Sequence, residues 1–306
     1  MPSVTLLESA KLTQDEMVVG VIENVITVNR MFELLPFEGI EGNALAYNRE
    51  NALGDVQALG VGGTVTAKAA ATFTQVTSTL TTIIGDAEVN GLIQATRSNM
   101  GNDQTAIQIA SKAKSAGRTY QDYLINGSGV SNQFAGMLLL CATGQKAATG
   151  TNGGALSFAF MDETMDLVTD KDGSVDYFAM HARTIRSFMA LLRGLGGASI
   201  SDVVQLPSGA TVPAYRGVPI LRNDYIPINQ TKGSGSAQTT FFAGTLDDGS
   251  RTHGIAGLTA SQNAGMQVVD VGEAETKDER IWRVKWYCGL ALFSEKGLAL
   301  ADGITN

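Results

Sequence analysis

Three stretches of the sequence predict an α+β fold. Residues 61–84 hold eight threonines and a single charge, Lys68, a composition that favours strand over helix. Residues 103–124 repeat Ala106, Ile109, Ala110, Ala113, Ala116, Tyr120, Tyr123 and Leu124 at helical spacing. Near the C-terminus Trp282, Val284, Trp286, Cys288, Leu290 and Leu292 share one parity while Arg283 and Lys285 take the other, the two-residue period of a strand.

The elements follow in order. Thr13 and Glu16 have capping-box spacing, and Met17, Val18, Val21, Ile22 and Val25 then recur at helical intervals, so an amphipathic helix is expected within an arm. Pro36 ends helical structure at Leu35, because the residue before proline is pushed out of the helical region. Ala44–Glu50 reads as a strand, and Gly54 with the cluster Gly60, Gly62 and Gly63 supplies turns. Apolar parity runs through Val65, Ala67, Ala69, Ala71 and Phe73, then passes to Val76, Leu80 and Ile84, which predicts a bulge or break near Gln75. The result is a long, weakly charged ribbon that buries too little to stand alone in water.

The helix over 103–124 is expected to be about 33 Å long, capped by Asn102 or Asp103 and followed by Gly127. Gly144–Gly154 reads as a flexible connector. Helices are expected over 161–169 and 182–193, the second burying Ile185, Phe188, Met189 and Leu192. Strands are expected over 175–180, 211–215, 218–222 and 239–244, with 233–237 as a surface loop. The last strand pairs with 266–272 across the charged turn 273–279.

Composition narrows the function. The 306 residues carry 17% charged and 44% hydrophobic side chains, and a chain that apolar offsets its ordering entropy by burial. A net charge of −8 is opposite to the footprint of a dedicated nucleic-acid binder. Cys141 and Cys288 are too few and too far apart for a disulfide framework or zinc site, and read as buried thiols of a cytosolic chain. The first ten residues have no basic, apolar and cleavage-site succession of a signal peptide, and no stretch reaches bilayer-spanning length.

Motifs for catalysis or cofactor binding are weak. Gly60-Val-Gly-Gly-Thr-Val65 lacks the third glycine and the strand-to-helix setting of a dinucleotide loop. A calcium loop starting at Asp170 would need a glycine where Val175 stands and an acid where His181 stands. His181 and His253 have no second imidazole at metal-binding spacing, and read as capping or loop residues. No Gly-x-Ser-x-Gly elbow occurs. The expectation is therefore no catalytic residue, no metal and no cofactor. Trp282 and Trp286, on one strand parity, are expected in the core, and Lys68 reads as a solvated edge lysine.

The order of parts is arm, long β-loop, helix, mixed α/β segment and C-terminal ribbon. With it go Leu35-Pro-Phe-Glu-Gly-Ile-Glu-Gly-Asn43 running into Tyr47-Asn-Arg-Glu50, then Tyr215-Arg-Gly-Val-Pro-Ile220 followed by Asn223-Asp-Tyr-Ile-Pro227, and Trp286-Tyr-Cys-Gly-Leu-Ala-Leu292 before Ala299–Gly303. Together these resemble the tailed-bacteriophage major capsid protein of the Hong Kong 97-type fold family. The resemblance implies an N-arm at 1–36, an E-loop region at 37–88, a P-domain at 89–134 with its spine helix, an A-domain at 135–264, a P-domain β-ribbon at 265–295 and a C-terminal return to the A-domain at 296–306. It implies pentamers and hexamers closing into an icosahedral shell around double-stranded DNA, assembled in the host cytoplasm and ending as a virion capsid, with no membrane. Expected inter-subunit contacts are Gly60, Gly62, Gly63, Lys68, Val21, Ile22, Val25 and Arg49. The short arm points to a separate scaffolding protein, a portal is implied, and the acidic balance predicts weak, non-specific contact with packaged DNA. The family's prototype links an E-loop lysine covalently to an asparagine. Lys68 is the lysine available here, and no partner motif accompanies it. The alternatives are an encapsulin-type nanocompartment, which shares the fold and encloses protein cargo, and a soluble β-rich enzyme.

Overall fold

The computed structural model describes residues 31–97, 104–170, 173–194 and 202–305. The arm helix expected around Val21, Ile22 and Val25, and the caps expected at Asn102 or Asp103, lie outside them. Two compact units are present. The smaller includes Gly85–Ser115 and Val268–Val284, and the larger includes Val28–Ile84, Ala116–Gln267 and Lys285–Asn306.

In the larger unit, α1 (Met31–Leu34) stops just before Leu35 and Pro36, as the proline requires. It is followed by β1 (Phe37–Ile40), which runs parallel to β13 (Ile255–Ala260). β13 pairs antiparallel with the C-terminal part of β15 (Glu279–Leu292), Ile255 opposite Leu292. Ile40, Ala256, Leu258, Ala291 and Phe293 form a small core there.

The larger unit also holds a nine-stranded sheet of order β5-β16-β12-β7-β10-β9-β8, with β11 added to β12 and β6 to β16. These strands are β5 (Lys146–Ala147), β6 (Gly154–Ala155), β7 (Tyr177–Met180), β8 (Asp202–Gln205), β9 (Thr211–Tyr215), β10 (Val218–Arg222), β11 (Gln230–Lys232), β12 (Gly235–Gly244) and β16 (Leu298–Thr305). β7 is parallel to β10 and antiparallel to β12, and all four of its residues are buried. Its alternation divides two cores. Tyr177 and Ala179 join Leu124, Tyr120 and Leu298, whereas Phe178 and Met180 join Met161, Phe188 and Ile220. A continuous apolar run is what a strand covered on both faces requires.

α5 (Phe158–Thr169) and α6 (Ala182–Gly194) cover the second of these faces. The Ser157 hydroxyl accepts the Phe160 amide at the start of α5. At the start of α6 the Nδ1 of His181 accepts the Arg183 amide, so His181 is the capping residue expected. His253 lies in a loop, its Nδ1 2.9 Å from the Thr252 hydroxyl. On the opposite face the C-terminal part of α3 (Gln104–Asn126) buries Ala116, Tyr120, Leu124 and Ile125, and α4 (Met137–Leu140) buries Met137. Tyr120 stands 4.6 Å from the Trp286 ring and 5.3 Å from Phe134, centroid to centroid. Cys141 and Cys288 are buried thiols, as expected, and burial pushes both up to about 12.

In the smaller unit β14 (Gln267–Glu273) neighbours the N-terminal part of β15, and the turn between them closes through the Ala274 amide on the Glu279 carbonyl. Asp86, on β4 (Thr81–Asn90), accepts two hydrogen bonds from Arg283 at 2.7 and 2.8 Å. α2 (Gly91–Arg97) begins beside Asp278, whose carbonyl accepts the Gly91 amide.

Several local expectations need correction. The helix 103–124 is present, but Ala106 and Ala110 of its predicted buried face are exposed, because in a single chain only its C-terminal part meets a core. The connector 144–154 contains β5 and β6, which add parallel to β16. Gly235–Ala237 belong to β12, not to a loop. Trp286 is 7% exposed and in the core, whereas Trp282 is only half-buried and carries Arg280 5.6 Å above its ring.

Candidate assembly surface

A hairpin and its tip form the most unusual surface of the larger unit. β2 (Ala44–Ala52) pairs antiparallel with β3 (Thr72–Thr79), from Ala44 opposite Thr79 to Glu50 opposite Phe73. The register runs unbroken through Gln75. The irregularity falls instead between Glu50 and Ala52, opposite Phe73 and Thr72, and the second interruption is Leu80, between β3 and β4. Threonine and alanine on neighbouring parities gave the apolar pattern a flip that the backbone does not follow.

The base of this hairpin is clamped to its own chain. The Tyr47 hydroxyl donates to the Leu292 carbonyl at 2.7 Å, and its ring meets Phe293 edge-on at 5.3 Å. Arg49 donates from Nε to the Phe293 carbonyl at 3.0 Å and from Nη2 to the Leu292 carbonyl, and its Nη1 pairs with Glu295 at 3.1 Å. Its side chain is only 14% exposed, so Arg49, expected at an inter-subunit contact, spends its donors within its own chain. A guanidinium is suited to this because its fork of donors satisfies two adjacent carbonyls at the end of a strand.

Beyond residue 52 the chain leaves the ladder. Residues 53–71 include no strand, against the expectation of a ribbon beginning at Val61, and one side chain does much of the pairing. Gln57 Oε1 accepts the amides of Thr66 and Ala67 at 3.0 and 2.7 Å, and its Nε2 donates to the Thr64 carbonyl. The tip turns at Gly60–Gly63, where the Gly63 amide reaches the Gly60 carbonyl at 3.0 Å. Gly62 has φ +83°, so that position calls for glycine, whereas a Cβ on Gly63 would meet the end of the exposed Leu59 side chain, which can turn aside. Lys68 is exposed. Leu53, Val56 and Val61 are exposed by 79, 90 and 112%, with Leu59 and Val65 also open.

A second open apolar surface lies in the smaller unit. Val268, Val269 and Val271 of β14 are all exposed although they fall on both parities, and Leu92 and Ile93 of α2 are exposed as well. Isolated exposed apolar residues are ordinary, but contiguous ones mark interaction surfaces. The hairpin clamp and the Gln57 bracket had no sequence signal, since each depends on carbonyls or amides that folding brings near.

No protein-family model matches the sequence, and no curated protein matches it. Solved structures do match. The holo-SrpI encapsulin complex from Synechococcus elongatus PCC 7942 superposes with a TM-score of 0.74 at 19% identity, covering 99% of this chain and 96% of that one. The chain shares the fold of that encapsulin. The capsid of Cyanophage A-1(L) also gives a TM-score of 0.74, at 14% identity, covering 99% of this chain and all of that one. For the capsid of a native GTA particle the TM-score is 0.69 at 14% identity, with full coverage of both chains. The likeness covers 99% or more of the chain, and the α+β class expected from the sequence is the class observed. Among the described residues no helix is long and apolar enough to cross a membrane, and no three His, Cys, Asp or Glu side chains group as metal ligands.

Proposed function

We propose that this chain is a structural subunit of a closed icosahedral shell, a phage major capsid protein that assembles as pentamers and hexamers around double-stranded DNA. The observation that carries the reading is the hairpin tip. Leu53, Val56, Val61 and Val65 are held open by a clamped base and a bracketed turn, and a chain of this fold buries them only on another copy. In this reading 37–88 is the E-loop region, 89–134 and 265–295 form the P-domain, 135–264 and 296–306 form the A-domain, and 1–36 is the arm. Gly60, Gly62, Gly63 and Lys68 sit at the contact with a neighbour, Val21, Ile22 and Val25 supply the arm's apolar stripe, and Arg49 fixes the hairpin that carries the tip. Its work is burial of surface, not bond-making. A net charge of −8 suits a container that must not grip its genome, because each neutralised phosphate would add to the binding free energy. A separate scaffolding protein, a portal, assembly in the host cytoplasm and a final place in the virion belong to the same proposal.

Negative-stain electron microscopy of the purified full chain tests it. Closed particles, or five- and six-membered rings, are expected, and a monomer that persists at high concentration would overturn it. The second reading, an encapsulin-type compartment, is favoured by the likeness to the SrpI encapsulin. Genes for a portal, a terminase or a scaffolding protein beside this one, and nuclease-protected DNA in native particles, support the capsid. A protein cargo in place of DNA supports the compartment.

A further inference from the structure

Asparagine followed by glycine occurs three times in the chain, at Asn90-Gly91, Asn126-Gly127 and Asn152-Gly153. The pair is chemically labile, because glycine has no Cβ to keep its amide nitrogen away from the preceding side chain. Once that nitrogen has given up its proton, it can attack the asparagine Cγ. In a folded chain the outcome depends on what holds the two groups, and the three sites differ there.

At Asn126 both groups are engaged. The Gly127 amide donates to the Tyr123 carbonyl at 2.9 Å, and Asn126 Nδ2 donates to Asp122 at 2.8 Å and to the Tyr225 carbonyl at 3.0 Å. At Asn90 the Gly91 amide donates to the Asp278 carbonyl at 3.0 Å, while Oδ1 accepts the Leu92 amide at 3.0 Å and caps α2. Asn90 and Asn126 are both half-buried.

Asn152 is exposed, in the turn between β5 and β6. The Gly153 amide donates to the Gly150 carbonyl at the long distance of 3.4 Å. Donors instead meet the two oxygens on which charge develops. Gln238 Nε2 donates to the Asn152 carbonyl at 2.6 Å, and that oxygen takes up negative charge when the Gly153 nitrogen is deprotonated. The Ser234 amide donates to Asn152 Oδ1 at 3.0 Å, the oxygen that becomes the oxyanion after attack on Cγ. The fold holds both donors in place, since Gln238 is fully buried on β12 and Ser234 lies in the turn between β11 and β12.

We propose that Asn152 is a modification site, deamidated spontaneously within the folded subunit. The Gly153 nitrogen loses its proton to water or hydroxide and bonds to Asn152 Cγ. The Cγ–Nδ2 bond then breaks, and Nδ2 takes up a proton and leaves as ammonia. Water opens the resulting five-membered succinimide at either carbonyl, giving aspartate or isoaspartate. Nothing is oxidised or reduced, and the net change is one water consumed and one ammonia released. The site belongs to the subunit and does not rest on the shell reading.

The consequence is structural. Isoaspartate adds a methylene to the main chain at a place with no room for it, since even a Cβ on Gly153 would strike the Gly303 carbonyl of β16. It also displaces the carbonyl that accepts the buried Gln238 amide, and an unpaired buried donor is costly. The shared end of β6, β11 and β12 is therefore expected to loosen as the protein ages.

The test follows the three Asn-Gly peptides of the wild-type full chain by mass spectrometry after incubation in mildly alkaline buffer, once folded and once in denaturant. Labelling by an isoaspartate methyltransferase counts the isoaspartate. In the folded chain Asn152 is expected to deamidate at least about tenfold faster than Asn90 or Asn126, the factor that one net hydrogen bond supplies. In denaturant the three rates are expected to converge. A folded chain in which Asn90 or Asn126 keeps pace, or in which Asn152 stays intact, overturns the proposal. A lead of Asn152 that persists in denaturant overturns it too, because the cause would then be local sequence. Q238M keeps the length of the side chain and removes the donor. If it folds, as judged by thermal melting, it is expected to slow Asn152 by about threefold or more and leave Asn90 and Asn126 unchanged. An unchanged Asn152 rate overturns the part given to Gln238, and if Q238M does not fold the wild-type rates still decide. Aged wild type is expected to melt lower than fresh protein and N152S to melt alike before and after ageing. Equal loss in both would overturn the structural consequence.

Discussion

Strand β7 and the hairpin tip are both rich in apolar residues and lie in opposite surroundings. Tyr177, Phe178, Ala179 and Met180 are fully enclosed, with helices and strands on either side, whereas Leu53, Val56 and Val61 face solvent almost completely. The difference arises from what is adjacent. β7 sits at the middle of a sheet whose two faces are covered by the same chain, and the tip extends past the clamped base of a two-stranded hairpin, where nothing of its own chain covers it. An apolar side chain inside the sheet therefore reports on the stability of the subunit, and one at the tip reports on its neighbours.

The comparison can be broken most forcefully by removing residues 54–66. The subunit is expected to keep its helix content and cooperative unfolding while stable shells disappear, as read by circular dichroism and electron microscopy. Normal assembly of that deletion would remove the tip from the interface. Point substitutions make the same contrast on a smaller scale. Phe178→Ala is expected to destabilise the subunit by about 3–5 kcal/mol in denaturant unfolding. Val61→Ser is expected to stay within about 0.5 kcal/mol and to weaken assembly alone. Equal effects of the two on subunit stability would mean that the tip is buried within its own chain.

Arg49 lies between these regimes, since its side chain belongs to the hairpin and its acceptors to the end of β15. Arg49→Ala leaves two carbonyls without their charged donor and is expected to cost about 1–3 kcal/mol. Amide exchange should accelerate in β2 and β3 with β7 unchanged, and uniform acceleration across both regions would contradict a local clamp. The smallest effect concerns the smaller unit. The hydrogen bonds from Arg283 hold the Asp86 carboxyl below its ordinary value. The contribution of the pair is therefore present above the usual carboxylate pKa of about 4 and is lost as pH falls through the lowered folded value. Because both side chains are about a third exposed, Asp86→Asn should cost under about 1 kcal/mol at pH 7, and the gap from wild type should close towards about pH 2. A gap independent of pH would show that the ion pair is not its source.

Much of the secondary structure was legible in the residues. The spacing of Ile185, Phe188 and Met189 sufficed for α6, and the alternation from Trp282 to Leu292 for β15, because a helix or strand half-covered by a core imposes its own period. Short additions to an existing edge were not legible. β5 and β6 are two residues each and exist because β16 offers free carbonyls and amides beside them, a reason that no local pattern can contain. The candidate surface divides in the same way. Its glycine turn and low charge were visible beforehand, whereas the Arg49 clamp, the Gln57 bracket and the exposed valines of β14 were not.

The sequence by itself determined the α+β class, the long helix, the C-terminal strand and a weakly charged loop too apolar to stand alone. All of these depend on composition and on periods within one segment. Tertiary structure decided which side of each element is covered, where β16 inserts, what anchors the hairpin, and that α5 and α6 share one core on one face of the sheet. Those depend on contacts between residues as far apart as Arg49 and Leu292, and a pattern read along the chain is blind to distances measured across it.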